Sequence, residues 1–483
     1  MLALLLFAQA VEFTHGVASG QATDRSVILW TRVSAESVVV FEIAREAEFG
    51  DIAWRGEAIA TEDQDFTVKL TAPGLEPGRA YWYRALAGKA ASEIGRFRTA
   101  PAPDELRTLR FAFSGDSDGT RRFYNSFEVL DAVRVDEPDF FLYIGDTVYA
   151  DSQAQEPHAP ARTIDEYRAL YKENRSIDAL RRLMAATSFF TLWSDHEVRN
   201  DYQGATVNPE LYAAGRRAFL DYMPVDEEAL AEADGCAGRP LFRSFRWGAG
   251  VEMFLLDGRS CRTADAARAC PFFFGFRDPV PSLAEDYRRS IGMPVNPARG
   301  CLDALRDPSR TMLGAAQKAL LMERLRASAA RWKLIVTEAP AHEFYLLPYD
   351  RWEGYAAERE ELLRFVRDNG IRNVVFLTAD SHANFINDVR VDGEAVAKEF
   401  VTGPIAAGTM QQSTSFLGAF GRAIMHRVLD FAGPSCRNLD SYSYGLVEIE
   451  GDRMRVMLKS DRGETLRDQL DETIECVKVV EAR

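Results

Sequence analysis

The chain has 483 residues, 47% of them hydrophobic and 27% charged, which excludes a disordered or low-complexity protein and supplies ample apolar surface for burial. At this length one core is too small a unit, so two domains, or one domain with large insertions, are expected. With 58 basic against 73 acidic side chains the formal charge is −15, which disfavours a nucleic-acid scaffold but leaves room for a small phosphorylated substrate if bound cations reverse the local field.

Met1 to Ala10 is apolar and closes on Ala8-Gln9-Ala10, the small-x-small pattern cut by a signal peptidase, so a periplasmic or secreted protein is expected. A cytoplasmic protein is the alternative, with the segment a buried strand. The run is too short to cross a bilayer, which takes about 20 apolar residues, and no transmembrane segment is expected. From Phe13 to Thr99 short β-rich runs alternate with Gly, Pro, Asp and Glu: Val27 to Val33, Val38 to Ala44, Phe66 to Leu70 and Ala80 to Leu86. This reads as an antiparallel β-sandwich over 13–99. Leu75-Glu76-Pro77-Gly78 followed by Tyr81 and Tyr83 resembles the tyrosine corner of fibronectin type III modules. Residues 100–107 read as a linker.

Beyond it apolar strands alternate with amphipathic helices, the α/β pattern. Strands are expected at Leu109 to Phe113, Phe140 to Ile144, Phe189 to Trp193, Met253 to Leu256, Leu334 to Val336 and Val374 to Leu377. Helices are expected at Arg121 to Val135, Ile164 to Lys172, Gln317 to Arg326 and Glu358 to Arg367. Residues 261–312 lack periodicity and read as an insertion forming a lid or wall of the site. Tyr444 to Glu450 and Arg453 to Leu458 form a hairpin, leaving 461–483 as a C-terminal extension of a catalytic domain over 108–460. The six cysteines suit either disulfides, with 15 complete pairings open, or buried thiols.

Four of the strands run directly into acidic residues. Phe113 leads to Asp116, Ile144 to Asp146, Trp193 to Asp195-His196-Glu197, and Leu377 to Asp380-Ser381-His382. In open α/β sheets ligands lie beyond the carboxyl ends of strands, so these carboxylates are delivered to one edge. Carboxylates forced together must protonate or bind cations, and Asp with His suits hard or borderline metals. A multinuclear metal site is the expectation; turn and helix-cap duty is the alternative for any single Asp, and for Asp118 it is the preferred one.

Several further blocks, in order, resemble the alkaline phosphatase D (PhoD-like) metallophosphatases of the calcineurin-like metallophosphoesterase superfamily. They are Phe13 to Gly20, Leu29-Trp30-Thr31-Arg32, Gly145-Asp146-Thr147-Val148-Tyr149, Asp195-His196-Glu197-Val198 with Asn200, Leu256 to Arg262, Met312-Leu313-Gly314 with Gln317, and Asp380-Ser381-His382. The resemblance implies a four-layer αββα metallophosphoesterase sandwich preceded by a fibronectin III/Ig-like β-sandwich. It implies that Asp146 bridges two ions, that Asp116, Tyr149, Asp195, Asp380 and His382 complete the metal shell, and that His196 is the general acid or leaving-group hydrogen-bond donor. Arg259 and Asn200 are assigned to substrate, the Arg259 fork suiting phosphate oxygens; an ion pair to Asp257 is its alternative. Calcium and iron are the implied ions, with manganese or zinc as alternatives, because Asp116 stands where calcium–iron members carry Cys. The implied reaction is hydrolysis of phosphate monoesters or diesters by a metal-bound hydroxide. A monomer acting on a small substrate is expected. A phospholipase D-like phosphodiesterase and an inert secreted binding protein are the competing readings. His158, beside the Tyr149 block, is read as exposed.

Overall fold

The computed structural model describes residues 10–121, 127–152, 159–226, 235–273, 276–294 and 299–483. Most of the Met1 to Ala10 leader, His158 and the first part of the expected Arg121 to Val135 helix lie outside the described residues; the described helix there is Glu128–Val135.

Two sheets face each other. The first has nine strands in the order Val477–Glu481, Arg453–Ser460, Ser443–Glu450, Leu109–Ser114, Phe140–Ile144, Ser188–Leu192, Phe13–Gly20, Ser26–Val33, Thr67–Pro73. Its middle three strands are parallel, with Leu142 opposite Phe113 and Phe141 opposite Phe189. The second has seven strands in the order Arg243–Trp247, Val251–Leu255, Trp332–Val336, Val374–Thr378, Glu394–Val401, Asn384–Val391, Cys436–Asn438.

The two-residue period of the strands sorts the apolar residues into layers. Phe111, Phe113, Phe140, Leu142, Phe190 and Leu192 point inward and meet Met253, Leu255, Leu334, Val336, Val375 and Leu377 of the opposite sheet. Phe140 stacks on Phe111 at 4.8 Å and takes Phe190 edge-on at 5.1 Å, pairs each worth about 0.5–1.5 kcal/mol beyond the area they bury. The alternate residues Ala112, Phe141, Tyr143 and Phe189 face outward under Glu128–Val135, Ile164–Arg175, Asp178–Ala186 and Pro209–Tyr222. Phe254, Ile335 and Phe376 do the same on the second sheet under Ala315–Ala327 and Ala356–Asp368. The result is the four-layer αββα sandwich.

The N-terminal β-sandwich is present, and Tyr81 makes the expected corner by accepting the Glu76 amide at 2.9 Å. Its attachment is closer than a tether over 100–107 suggests. Strand Phe13–Gly20 pairs in parallel with Ser188–Leu192, so one sheet of the sandwich continues the catalytic sheet, while Ser37–Ala44, Ile52–Ala60, Ala80–Ala87 and Gly95–Arg98 cover its face. Ala100 is itself fastened, its amide to the Thr23 carbonyl and its carbonyl to the Gly78 amide. The residues after 460 likewise end in the edge strand Val477–Glu481. All six cysteines pair, as Cys236–Cys261, Cys270–Cys301 and Cys436–Cys476, the first anchoring the start of the 261–312 insertion and the second closing a loop within it. Among the described residues no helix is long and apolar enough to cross a membrane.

Candidate metal centre

Parallel strands deliver the acidic loops to one edge of the paired sheets, and backbone bonds then knit them. The Asp116 amide donates to the Gly145 carbonyl at 3.3 Å, the Ser117 amide to the Asp146 carbonyl at 2.9 Å, and the Asp380 amide crosses from the second sheet to Asp116 Oδ1 at 3.2 Å. Asp116, Asp146, Asp380 and His382 all hold φ between 49° and 62°, the left-handed region that L-residues adopt at a cost of order 1–3 kcal/mol. Such turns reverse the chain at once, so each side chain projects off the end of its strand. Glu197 braces the arrangement from beneath: it is fully buried and accepts the Thr147 amide and hydroxyl at 2.6 and 2.7 Å and the Ser194 amide at 2.9 Å.

Three sets of candidate ligand atoms come together within 4.8 Å: Asp116, Asp146 and His382; Asp146, Asp195 and His196; and Asp195, Asp201 and Asp350. Asp146 belongs to the first two, the geometry of a carboxylate shared by two ions. Asp116 Oδ2 and Asp146 Oδ2 are buried with no hydrogen-bond partner, a costly state for a carboxylate oxygen unless a cation or proton takes it. The donor set therefore fits bound cations. Burial first, and then neighbouring carboxylates, drive the Asp116 and Asp146 carboxyls well above their ordinary range. Asp380 is pushed to about 7 by burial and by Asp195. Burial holds His382 down to about 4, neutral and able to act as a ligand, with Nδ1 bound to the Gly408 carbonyl at 2.6 Å. Tyr149 Oη lies 3.1 Å from His382 Nε2.

His196 is held on two sides. Its ring stacks on Tyr149 with centroids 4.1 Å apart, and Nδ1 meets Asp151 Oδ1 at 2.6 Å. Burial works against its charge, but Asp146, Asp195 and Asp151 override that and raise its pKa well above the ordinary histidine value. Asp195 shows the opposite balance: burial disfavours its charge, yet Arg259 and His196 hold it well below the usual carboxylate range.

One assignment changes in role. Arg259 is fully buried, and its fork closes on Asp350 at 2.8 and 2.6 Å, so the guanidinium is not presented to a substrate; nor is Asp257 its ion-pair partner, since that carboxylate accepts the backbone amides of Arg259 and Ser260. Asn200 is exposed beside the site and contributes its backbone amide to Asp151 Oδ2 at 2.5 Å. Asp118 is engaged in its own turn with Thr120 and with Ser152. Sequence reasoning missed Asp151, Asp201, Glu338 and Asp350. Asp151 and Asp201 stand two residues after Tyr149 and six after Asp195, a proximity that was the available signal; Glu338 stands two residues after the strand Trp332–Val336, the same signal that marked the other acids, and Asp350 closes the short 3-10 helix Pro348–Asp350, where none was available.

Comparison with known proteins agrees with this geometry. The family described as PhoD-like phosphatase matches residues 112–459, and the PhoD-like phosphatase N-terminal domain matches residues 6–101. Alkaline phosphatase D of Bacillus subtilis (strain 168) is 27% identical over 440 residues, covering 82% of this chain and 70% of that protein. Among solved structures, that of PhoD superposes with a TM-score of 0.77 at 22% identity, over 98% of this chain and 92% of that one. The purple acid phosphatase PPD1 from yellow lupin (Lupinus luteus) seeds shares the fold at a TM-score of 0.54 and 10% identity, over 96% of this chain and 74% of that one. Catalytic region and leading β-module together, the chain belongs to the PhoD-like phosphatase family.

Proposed function

We propose that this protein is a metal-dependent phosphoric ester hydrolase of alkaline phosphatase D type. The observation that carries the reading is Asp146, shared between two ligand groups and with one buried oxygen lacking any partner. Asp116, Asp146, Tyr149 and His382 would hold one ion; Asp146 with Asp195 and Asp380 would hold the second. When bound, the cations supply Lewis acidity, polarising the ester oxygens and lowering the pKa of water.

The protein's own groups do the rest. The left-handed turns fix the carboxylates before substrate arrives, so little reorganisation accompanies reaction. Asp151 engages His196 Nδ1 and leaves Nε2 as the ring nitrogen that gives a proton or hydrogen bond to the departing oxygen. Tyr149, stacked on the same ring, fixes its plane. Asp116 in place of a thiolate favours harder ions, calcium or manganese beside iron. Pairing of all six cysteines supports maturation in an oxidising compartment, hence a periplasmic or secreted enzyme. The disulfide-pinned insertion 261–312 is the segment whose openness would decide between monoesters and diesters.

The test is dialysis against chelator followed by reconstitution with calcium, iron, manganese and zinc, singly and in pairs, assayed on one monoester and one diester. Loss and metal-specific recovery of hydrolysis are expected. Activity that survives complete removal of metal would overturn the reading.

A further inference from the structure

Spaced by four and then three residues, Arg168, Lys172 and Arg175 share one face of the helix Ile164–Arg175, which lies at the seam between the catalytic region and the β-module. The first two meet carboxylates there: Arg168 Nη2 lies 2.6 Å from Asp221 Oδ2, and Lys172 Nζ lies 3.1 Å from Asp65 Oδ2. Asp65 also takes Arg32 Nη2 at 2.9 Å and the Tyr222 hydroxyl. Among the described residues Arg175 has no carboxylate at all. It is 1% exposed, and its guanidinium lies 4.1 Å over the ring of Trp30, on the strand Ser26–Val33. Nη2 donates to the Tyr222 carbonyl, while Nε and Nη1 donate to nothing.

The groups that face this charge are neutral phenols, Tyr143, Tyr83, Tyr222 and Tyr171. Two of their hydroxyls are loosely held: Tyr83 Oη reaches the Met184 carbonyl at 3.5 Å and Tyr171 Oη the Thr147 hydroxyl at 3.4 Å, both long for such bonds. The local field is positive. Burial first, and then Arg32, Arg175 and Lys172, hold His15 down to about 4, with Asp65 opposing them only in part. A guanidinium stays charged at neutral pH even where burial draws it down to about 9, as here. The Trp30 face and the carbonyls of the helix C-terminus recover part of its lost hydration, but the empty N–H groups remain.

Buried donors without a partner are rare and mark a place that a water or an ion completes. A water would fill the hydrogen bonds and leave the charge; a small anion supplies both. Enclosure by Trp30, Tyr83, Tyr143 and Tyr171, all fully buried, favours a monatomic ion over an ester or a carboxylate, because such an ion needs little more space than a water molecule.

We propose that Arg175 anchors a buried monovalent-anion site, taken by chloride, at the seam between the catalytic region and the β-module. The bound ion neutralises the one member of the basic stripe that lacks a carboxylate, so the stability of the seam is linked to chloride. This goes beyond the metallohydrolase reading and stands whether or not that reading does.

The crystallographic probe is bromide, a heavier halide of the same charge. A wild-type crystal soaked in sodium bromide is expected to show an anomalous peak within hydrogen-bond distance of Arg175 Nε or Nη1. A site that keeps a water, or stays empty, overturns the proposal. In solution, the melting temperature of the metal-loaded protein is followed as chloride replaces gluconate at constant ionic strength. Once the site is filling, a hundredfold rise in chloride should raise the wild-type value by about 3 °C, the shift expected of a single site in a chain of this length. Arg175→Met removes the charge together with the anchor and should show no such dependence. No shift in the wild type refutes the site, as does an equal shift in both proteins, which would place chloride elsewhere, the metal centre included. The bromide soak needs no variant to fold.

Discussion

Replacing Asp151 by Asn tests how much of catalysis resides in holding one imidazole. Asp151 Oδ1 lies 2.6 Å from His196 Nδ1, with the two side chains 13% and 17% exposed, so the contact is short, charge-assisted and largely shielded from water. A hydrogen bond of that kind is worth about 1.5–3 kcal/mol, and since each 1.36 kcal/mol is tenfold in rate, Asp151→Asn should lower kcat by roughly one to two decades. His196→Ala removes the donor altogether and should lower it by roughly two to four decades, as for loss of one general acid. The asparagine is isosteric but has one acceptor oxygen where Asp151 uses two, so it keeps the bond to Nδ1 or the bond from the Asn200 amide and sets an NH2 against the other. The assay is kcat at saturating substrate and metal for both single variants and the double variant, with bound metal measured in each. Asp151 acts only through the ring, so its loss should cost nothing further once His196 is alanine. Should the two losses add, or should Asp151→Asn empty the metal site, Asp151 is doing something other than positioning His196.

Asp146→Asn should remove bound metal and hydrolysis together, because the lost charge is common to two ligand groups; metal analysis after desalting reads it. Tyr149→Phe retains the ring stacked on His196 but not the hydroxyl 3.1 Å from His382, so ion affinity should fall at least tenfold while the melting temperature holds; the reverse pattern would assign Tyr149 to packing. Gly403→Ala would place a Cβ 2.7 Å from Asp116 Oδ2 at a φ of +118°, and is expected to cost about 1–3 kcal/mol in denaturant unfolding and to lower metal occupancy. Away from the site, burial holds His342 down to about 4 from 6.5. The unfolded chain therefore takes up its proton first as pH falls, so this contribution to stability is intact above 6.5 and lost on the way to 4, amounting to about 2 kcal/mol at pH 5. Chemical denaturation at pH 7.5 and 5 should show that difference in the wild type and lose it in His342→Gln.

Much of this molecule is written locally. The alternation of Phe111, Phe113 and Phe140, Leu142 marks inner-face strands because a pleated chain sends every second side chain to the same side. The acids after four strands point to one edge because parallel strands end together. The helix from Ile164 is marked by its own capping box, Thr163 with Glu166. These signals lie within a few residues of one another, so a linear reading recovers them.

Partners far apart in the chain are a different matter. Arg259 looked like a phosphate clamp until Asp350, 91 residues on, closed its fork, and His196 gained its orienting carboxylate from Asp151, 45 residues before it. The same holds for the sheet that runs unbroken from catalytic core into β-module, which depends on Ser19 meeting Ser188, and for the choice among disulfide pairings. What the sequence alone determined was which side chains could do the chemistry, because composition and strand period are local properties. Which of them converge on one another and which are already neutralised was decided only by tertiary packing, because the field at a buried carboxylate is set by whatever the fold brings within a few ångströms.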